Sequence, residues 1–144
     1  MVAKEIARVL NGDIRKVEEI KKRKGFSDFI SAVFSARKEK CSKIKPMDFN
    51  LDSYDLIFVG TPVWTRKPTP AINSFISKAD FRDKKVIIFV TMAMQGGKNA
   101  IRILTDRIKS KGGKVINSFA IRTARVKDEK IIEEGNKIGR QYKD

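Results

Sequence analysis

The chain has 144 residues, of which 41% are hydrophobic, enough to fill the core of one domain, so we expect a single domain spanning residues 1–144. It has no histidine and a single cysteine, Cys41, which excludes Ser-His and Cys-His nucleophilic pairs, His-ligated zinc, an intrachain disulfide and a thiolate metal cage. The formal net charge of +15 favours acidic partners, but a lysine-rich solvated surface explains the same charge and is the preferred interpretation over a nucleic-acid footprint.

The first part of the chain predicts a helix, a short strand and a second helix. Apolar residues at helical spacing run from Val2 to Val9, and Asn11-Gly12 is typical of a helix end. The stretch DIRKVEEI, residues 13–20, alternates imperfectly between apolar and polar side chains, which favours an edge strand. Five apolar side chains then recur at helical spacing, namely Phe26, Phe29, Ile30, Val33 and Phe34. This stripe predicts a helix docked on a sheet, with a membrane-surface helix as the alternative.

From residue 54 the pattern becomes a regular alternation of strands and helices. DLIFVG and KKVIIFVT are continuous apolar runs, which are typical of parallel strands covered on both faces. Between these runs, Thr69 and Pro70 suit the N-cap and the first position of a helix. A helix, a strand and a last helix follow, at residues 98–113, 114–122 and 127–142. The predicted fold is therefore an α/β, doubly wound parallel sheet.

In such a sheet, ligands bind outside the carboxyl ends of the strands. The segments at these ends are GTPVWTRKP after the first apolar strand and TMAMQGG after the second. Trp64, the only tryptophan, falls in the first of these predicted turns. Backbone amides, a hydroxyl and a flat aromatic face suit a planar heteroaromatic ring. The alternative interpretation is that Trp64 packs over the helix that begins near Thr69.

The stretch YDLIFVGTPVWTRKPTPAINSFISKADFRDKKVIIFVTMAMQGG resembles the middle of the flavodoxin-like proteins that bind flavin mononucleotide (FMN). The segments on either side of it resemble the same family, so the resemblance covers nearly the whole chain. It implies that two loops contact the flavin ring and that an aromatic residue stacks on it. The implied cofactor-binding residues are Thr61, Pro62, Val63, Trp64, Thr91, Met92, Ala93, Met94, Gln95 and Gly96.

One element of the resembled family does not occur in these 144 residues. Flavodoxins open with a central strand and a Ser/Thr-rich loop that holds the FMN phosphate, whereas this sequence starts inside the helix that follows that loop. We therefore expect a sheet of about four strands that lacks the N-terminal central strand, with FMN binding that is weak or absent. The gap between DIRKVEE and DLIFVG is expected to close by pairing of the neighbouring strands, by a shifted segment or by a homo-oligomer.

The resemblance implies FMN-dependent electron transfer, and a related enzyme would be an FMN-dependent quinone reductase. No residue of the sequence distinguishes an electron carrier from such a reductase. The alternative from another class is a cofactor-free interaction module that docks acidic partners. Residues 15–45 hold eleven Lys or Arg against four Asp or Glu, so we expect this segment to form the main basic surface for an acidic redox protein, with nucleic acid a less favoured partner. The apolar runs are too short to cross a membrane, which needs about 20 residues, so we expect a cytoplasmic protein.

Overall fold

The computed structural model describes residues 1–20 and 41–143, and it contains four helices and four strands within these ranges. In chain order these are α1 (Val2–Leu10), β1 (Leu56–Trp64), β2 (Lys67–Pro68), α2 (Pro70–Lys78), β3 (Lys85–Met92), α3 (Gly97–Ser110), β4 (Lys114–Arg122) and α4 (Asp128–Arg140). The aromatic helix predicted at residues 26–34 lies outside the described residues, as does most of the basic segment 15–45. None of the helices in the described ranges is long and apolar enough to cross a bilayer.

The sheet has the strand order β2-β1-β3-β4. Strands β1, β3 and β4 are parallel, whereas the two-residue β2 folds back antiparallel to β1. Because a helix follows each parallel strand and helices cover both faces, the predicted α/β doubly wound class is confirmed. The central strand β3 is buried from Val86 to Val90, as its continuous apolar run predicts.

The two faces of the sheet are covered by different helices. Helices α2 and α3 pack on one face around a large apolar core that includes Phe75, Phe81, Ile88, Leu104 and Ile108. Helices α1 and α4 pack together on the other face, around Val2, Ile6, Phe89, Ile131 and Ile138. The second face depends on small residues. A Cβ atom added at Gly60 would lie 2.0 Å from Cζ of Phe89, and one at Gly139 would lie 2.8 Å from Cβ of Val9.

The predicted edge strand at residues 13–20 is wrong. Only Glu19 makes a bridge, antiparallel to Ile44. The rest of the segment is held by side chains: Nη1 of Arg15 donates to the carbonyl oxygen of Asn50 at 2.6 Å, and the hydroxyl of Tyr54 donates to Asp13 at 2.6 Å. Side-chain hydrogen bonds, and not a ladder of backbone hydrogen bonds, therefore hold this part of the segment in place. The imperfect alternation of its apolar and polar residues does not mark a strand.

The fourth strand of the sheet is instead β2, which the sequence does not predict. Within the described residues, β1 pairs on its outer side with β2 alone, at Val63 and Trp64. Direct pairing between residues 13–20 and β1, one of the three expected ways to close the gap, is therefore not formed.

Candidate functional site

The segment predicted as the first ligand-binding turn is largely a strand. β1 continues through Gly60 to Trp64, and Trp64 pairs with Lys67 across a two-residue turn. The turn residues Thr65 and Arg66 have φ angles of 48° and 65°, the left-handed pair that a type I′ hairpin requires. Trp64 therefore lies on a hairpin at the carboxyl end of the sheet, where its side chain is half-buried.

Two threonine hydroxyls hold the base of this hairpin to α2. Oγ1 of Thr61 and Oγ1 of Thr69 are 3.0 Å apart, and both side chains are buried. Thr69 is the N-cap residue of α2 and Pro70 the first helical residue, as predicted, but the Thr69 hydroxyl makes no capping hydrogen bond. Because the Thr61 hydroxyl also donates to the carbonyl oxygen of Pro62, it is used within the protein. A ligand at this edge could contact Thr61 only through its backbone.

The second predicted loop joins β3 to α3. Ala93, Met94 and Gln95 are exposed, and the Met94 side chain is 70% exposed. The loop is fixed to the end of β4, because the Thr123 amide donates to the carbonyl oxygen of Met92 at 2.8 Å. Nη2 of Arg122 donates to the carbonyl oxygen of Met94 at 3.2 Å. These contacts leave the side chains of the loop facing solvent.

The hairpin and the second loop meet at Arg66. A Cβ atom added at Gly96, which has a φ of 97°, would lie 2.7 Å from Cα of Arg66. Nδ2 of Asn99, in the first turn of α3, donates to the carbonyl oxygen of Arg66 at 2.8 Å. Arg102 donates to Oδ1 of Asn99 at 3.1 Å, which sets the orientation of the amide. We call this arrangement the Arg66–Asn99 contact.

The structure thus brings the two predicted segments together at one edge of the sheet. Pro62 is exposed there, and strand alternation places it on the same face of β1 as Trp64. Val63 lies on the opposite face and packs against the core under α2 and α3. The predicted site is an open edge: a groove of about 830 Å³ lies elsewhere, along α4 and the end of β4, and Trp64 does not line it.

Sequence reasoning missed the residues that join the two loops. Asn99 and Arg66 are 33 positions apart, and no motif links them. A hairpin at residues 64–67 is normally signalled by Asn-Gly or Asp-Gly, whereas Thr65-Arg66 carries no such signal. The one available indication is Gly96, since a glycine just before a helix often adopts a positive φ.

The sequence profile of a family described as flavodoxin matches residues 2–131. The chain belongs to the flavodoxin family. Among curated protein sequences, none matches it significantly. The family assignment confirms the resemblance of the central segment, and it agrees with the flavodoxin-like α/β fold of the structure.

Solved structures share the fold at low sequence identity. A protein from Bacteroides eggerthii, provisionally described as a flavoprotein, has a TM-score of 0.72 and 20% identity, over 95% of this chain and 87% of its own. A flavoprotein in complex with FMN from Lactobacillus acidophilus has a TM-score of 0.69 and 20% identity, over 83% of this chain and 82% of its own. Oxidised flavodoxin 1 from Bacillus cereus has a TM-score of 0.57 and 19% identity, over 97% and 85%.

The residues of this flavodoxin fit the flavin ring of FMN better than they fit its phosphate. At the carboxyl edge, the half-buried Trp64, the exposed Pro62 and the exposed loop of residues 93–95 suit a flat ring with polar edges. The first turn of α1 offers less to a phosphate. The first turn carries the carboxylate of Glu5, whose negative charge disfavours a phosphate there.

Proposed function

We propose that this flavodoxin binds FMN at the carboxyl edge of its sheet and transfers electrons through it. The observation that carries the proposal is the Arg66–Asn99 contact, which fixes the hairpin bearing Trp64 beside the second loop. Membership of the flavodoxin family supports it. FMN, when bound, supplies the redox chemistry, and the protein supplies stacking, polar contacts and a docking face.

The proposed roles follow from where the side chains lie. Trp64 stacks on or borders the flavin ring, and Pro62 contacts it on the same face of β1. The backbone amides of residues 93–95, which lie in an exposed loop, donate to the polar edge of the ring. Thr61, Thr91, Met92 and Gly96 shape the two loops.

We expect a polypeptide of residues 1–144 to bind FMN weakly and to discriminate poorly between FMN and riboflavin. Charge-assisted hydrogen bonds to a phosphate contribute about 1.5–3 kcal/mol each, and the first turn of α1 supplies no hydroxyl for them. Contacts to the flavin ring then supply most of the affinity. Stoichiometric FMN in the purified polypeptide would contradict this expectation.

The test is a titration of the purified polypeptide with FMN and with riboflavin, followed by flavin fluorescence. Trp64→Ala should weaken the binding of either flavin by roughly 1–3 kcal/mol, because the stacking surface is lost. Trp64→Phe is the matched control, since it keeps an aromatic face and should retain most of the affinity. Equal affinities for the wild type and Trp64→Ala would refute the role of Trp64.

Two other functions lead to different measurements. An FMN-dependent quinone reductase would oxidise a nicotinamide cofactor in the presence of a quinone, whereas an electron carrier would not do so alone. A cofactor-free interaction module would bind neither flavin at any concentration while still binding acidic proteins. We also propose that two chains can pair along the part of β1 that bonds to no other strand on its outer side within residues 1–20 and 41–143, and sedimentation at several protein concentrations would detect this.

A further inference from the structure

Carboxylates are scarce between residues 56 and 127, a range that forms much of the carboxyl end of the sheet. Between Leu56 and Lys127 the sequence contains only three, at Asp80, Asp83 and Asp106. Asp80 and Asp83 lie in the turn before β3, at the amino end of the sheet, and Asp106 lies within α3, 3.5 Å from Arg102. Residues 56–127 therefore contribute no negative side chain to the carboxyl edge.

The same edge is rich in cations. We define the carboxyl-edge rim as the six basic residues at or next to the carboxyl ends of the strands: Arg66, Lys67, Lys98, Arg122, Arg125 and Lys127. Within residues 1–20 and 41–143, no ion pair joins Arg66, Lys98 or Arg125 to a carboxylate, and all three are exposed. Asp128 and Glu129 follow the rim, where they open α4 and stabilise its N-terminus.

Apolar surface lies between the cations of the rim. The loop with the exposed Met94 follows the central strand β3, so it has Arg66 on one side and Arg122 on the other. Pro62 is also exposed at this edge, and Trp64 is half-buried. An apolar centre with a polar rim, rich in Trp, Met and Arg, is the usual composition of a protein–protein interface.

We propose that the carboxyl-edge rim is a docking surface for the acidic face of a protein partner, with Met94 at its centre. A ring of cations around an apolar loop matches a compact acidic protein better than it matches a nucleic-acid backbone, which a stripe of cations would follow. The surface exists without flavin. That the partner is a redox protein rests on the proposed function above.

The experiment compares two charge-reversed variants with the same change in net charge. Lys98→Glu with Arg125→Glu alters the rim, while Lys85→Glu with Lys114→Glu alters two exposed lysines that face each other at the amino end. Each protein is titrated with a synthetic acidic peptide that alternates glutamate pairs with leucine, and separately with double-stranded DNA. The folded state of each variant is checked by its thermal unfolding.

We expect the rim variant to bind the acidic peptide roughly tenfold more weakly than the wild type at low salt, and the amino-end variant to stay within about twofold. Met94→Gln should also weaken binding of the acidic peptide, but it should leave the salt dependence of that binding unchanged. Equal losses of peptide affinity in the two charge variants would overturn the proposal, because the affinity would then depend on net charge and not on the position of the cations. Binding of DNA that is stronger than that of the peptide and is lost only in the rim variant would replace it with a nucleic-acid surface. Titrating the same variants with FMN tests the flavin site separately.

Discussion

The two ends of the sheet use similar backbone conformations with very different side chains. At the amino end, the left-handed positions include Asp83 and Gly112, residue types that tolerate a positive φ, and Asp80 pairs with Arg82. At the carboxyl end, the left-handed positions include Thr65, which is β-branched and strongly disfavours such a conformation. Exposed cations there have no paired carboxylate among the described ion pairs. The amino end is composed for stability, whereas the carboxyl end carries strain and charge typical of a binding surface.

The strongest way to break this contrast is to add a methyl group at each end. Gly96→Ala should destabilise the protein by roughly 2–4 kcal/mol, because φ is positive and the new Cβ would meet the backbone of Arg66. Gly112→Ala should cost less, about 1–2 kcal/mol, because the atom nearest to its new Cβ is a side-chain atom, Cγ of Arg82 at 2.7 Å, whereas the backbone Cα of Arg82 lies at 3.1 Å. Urea unfolding measures both. Gly96 contacts the hairpin that carries Trp64, whereas Gly112 does not. A change of Trp64 emission in the Gly112 variant but not in the Gly96 variant would therefore contradict the contact between Gly96 and the hairpin.

The next largest effect concerns the Arg66–Asn99 contact. Asn99→Asp keeps the acceptor for Arg102 but removes the hydrogen that is donated to Arg66, so it should cost about 1 kcal/mol and shift the emission of Trp64. Asn117→Asp is the matched control, since Asn117 donates to the hydroxyl of Tyr142 far from the hairpin. A comparable loss of stability with unchanged Trp64 emission in both variants would show that the contact does not position the tryptophan.

The strain at the hairpin can be relieved rather than increased. Thr65→Asn should stabilise the protein by roughly 0.5 kcal/mol, because asparagine adopts the left-handed conformation far more readily than a β-branched residue. The corresponding change at the amino end, Asp83→Asn, should leave the stability nearly unchanged. Thermal unfolding of the two variants side by side gives the comparison, and a lower melting temperature for Thr65→Asn would disprove strain at this position.

The smallest effect is the acid dependence of the amino end. Hydrogen bonds from the Arg82 side chain and backbone lower the pKa of Asp80 from 3.8 to about 2. The stabilisation is therefore present above pH 3.8 and is lost as the pH falls through about 2. Asp80→Asn, which keeps an acceptor for the Arg82 amide, should be slightly less stable than the wild type at neutral pH and equal to it at the acidic limit. A difference that persists below pH 2 would exclude ionisation as its cause.

The sequence predicts elements whose side chains are fully buried and fails where long-range contacts decide the structure. Strand β3 is found where predicted because Ile87, Ile88 and Val90 must all be covered. Residues 13–20 are not a strand, because Arg15 and neighbouring side chains bond to residues more than thirty positions away. Such contacts leave no periodic pattern in the chain.

The candidate site likewise has features that the sequence predicts and features that it does not. Residues 61–64 and 91–96 lie beside each other at the carboxyl edge because β1 pairs with β3 there, which the topology predicts. The hairpin, the use of the Thr61 hydroxyl by Thr69 and the role of Asn99 were not predictable, because each depends on a partner brought close only by folding. The flavin contacts of these residues are still a prediction.

The close packing of α1 against α4 has a consequence for synthesis of the protein. Gly135 and Gly139 bring the two helices together, although about 130 residues of chain separate them. On the ribosome, α1 leaves the exit tunnel about 130 residues before α4 does, so it lacks this partner during that interval. Until α4 is present, the apolar face of α1, which includes Val2 and Ile6, is exposed. During the same interval, the face of the sheet covered by α2 and α3 can form from segments that are close in sequence. Because this contact has a large sequence separation, we expect α1 to dock late in folding, and its apolar face favours aggregation until then.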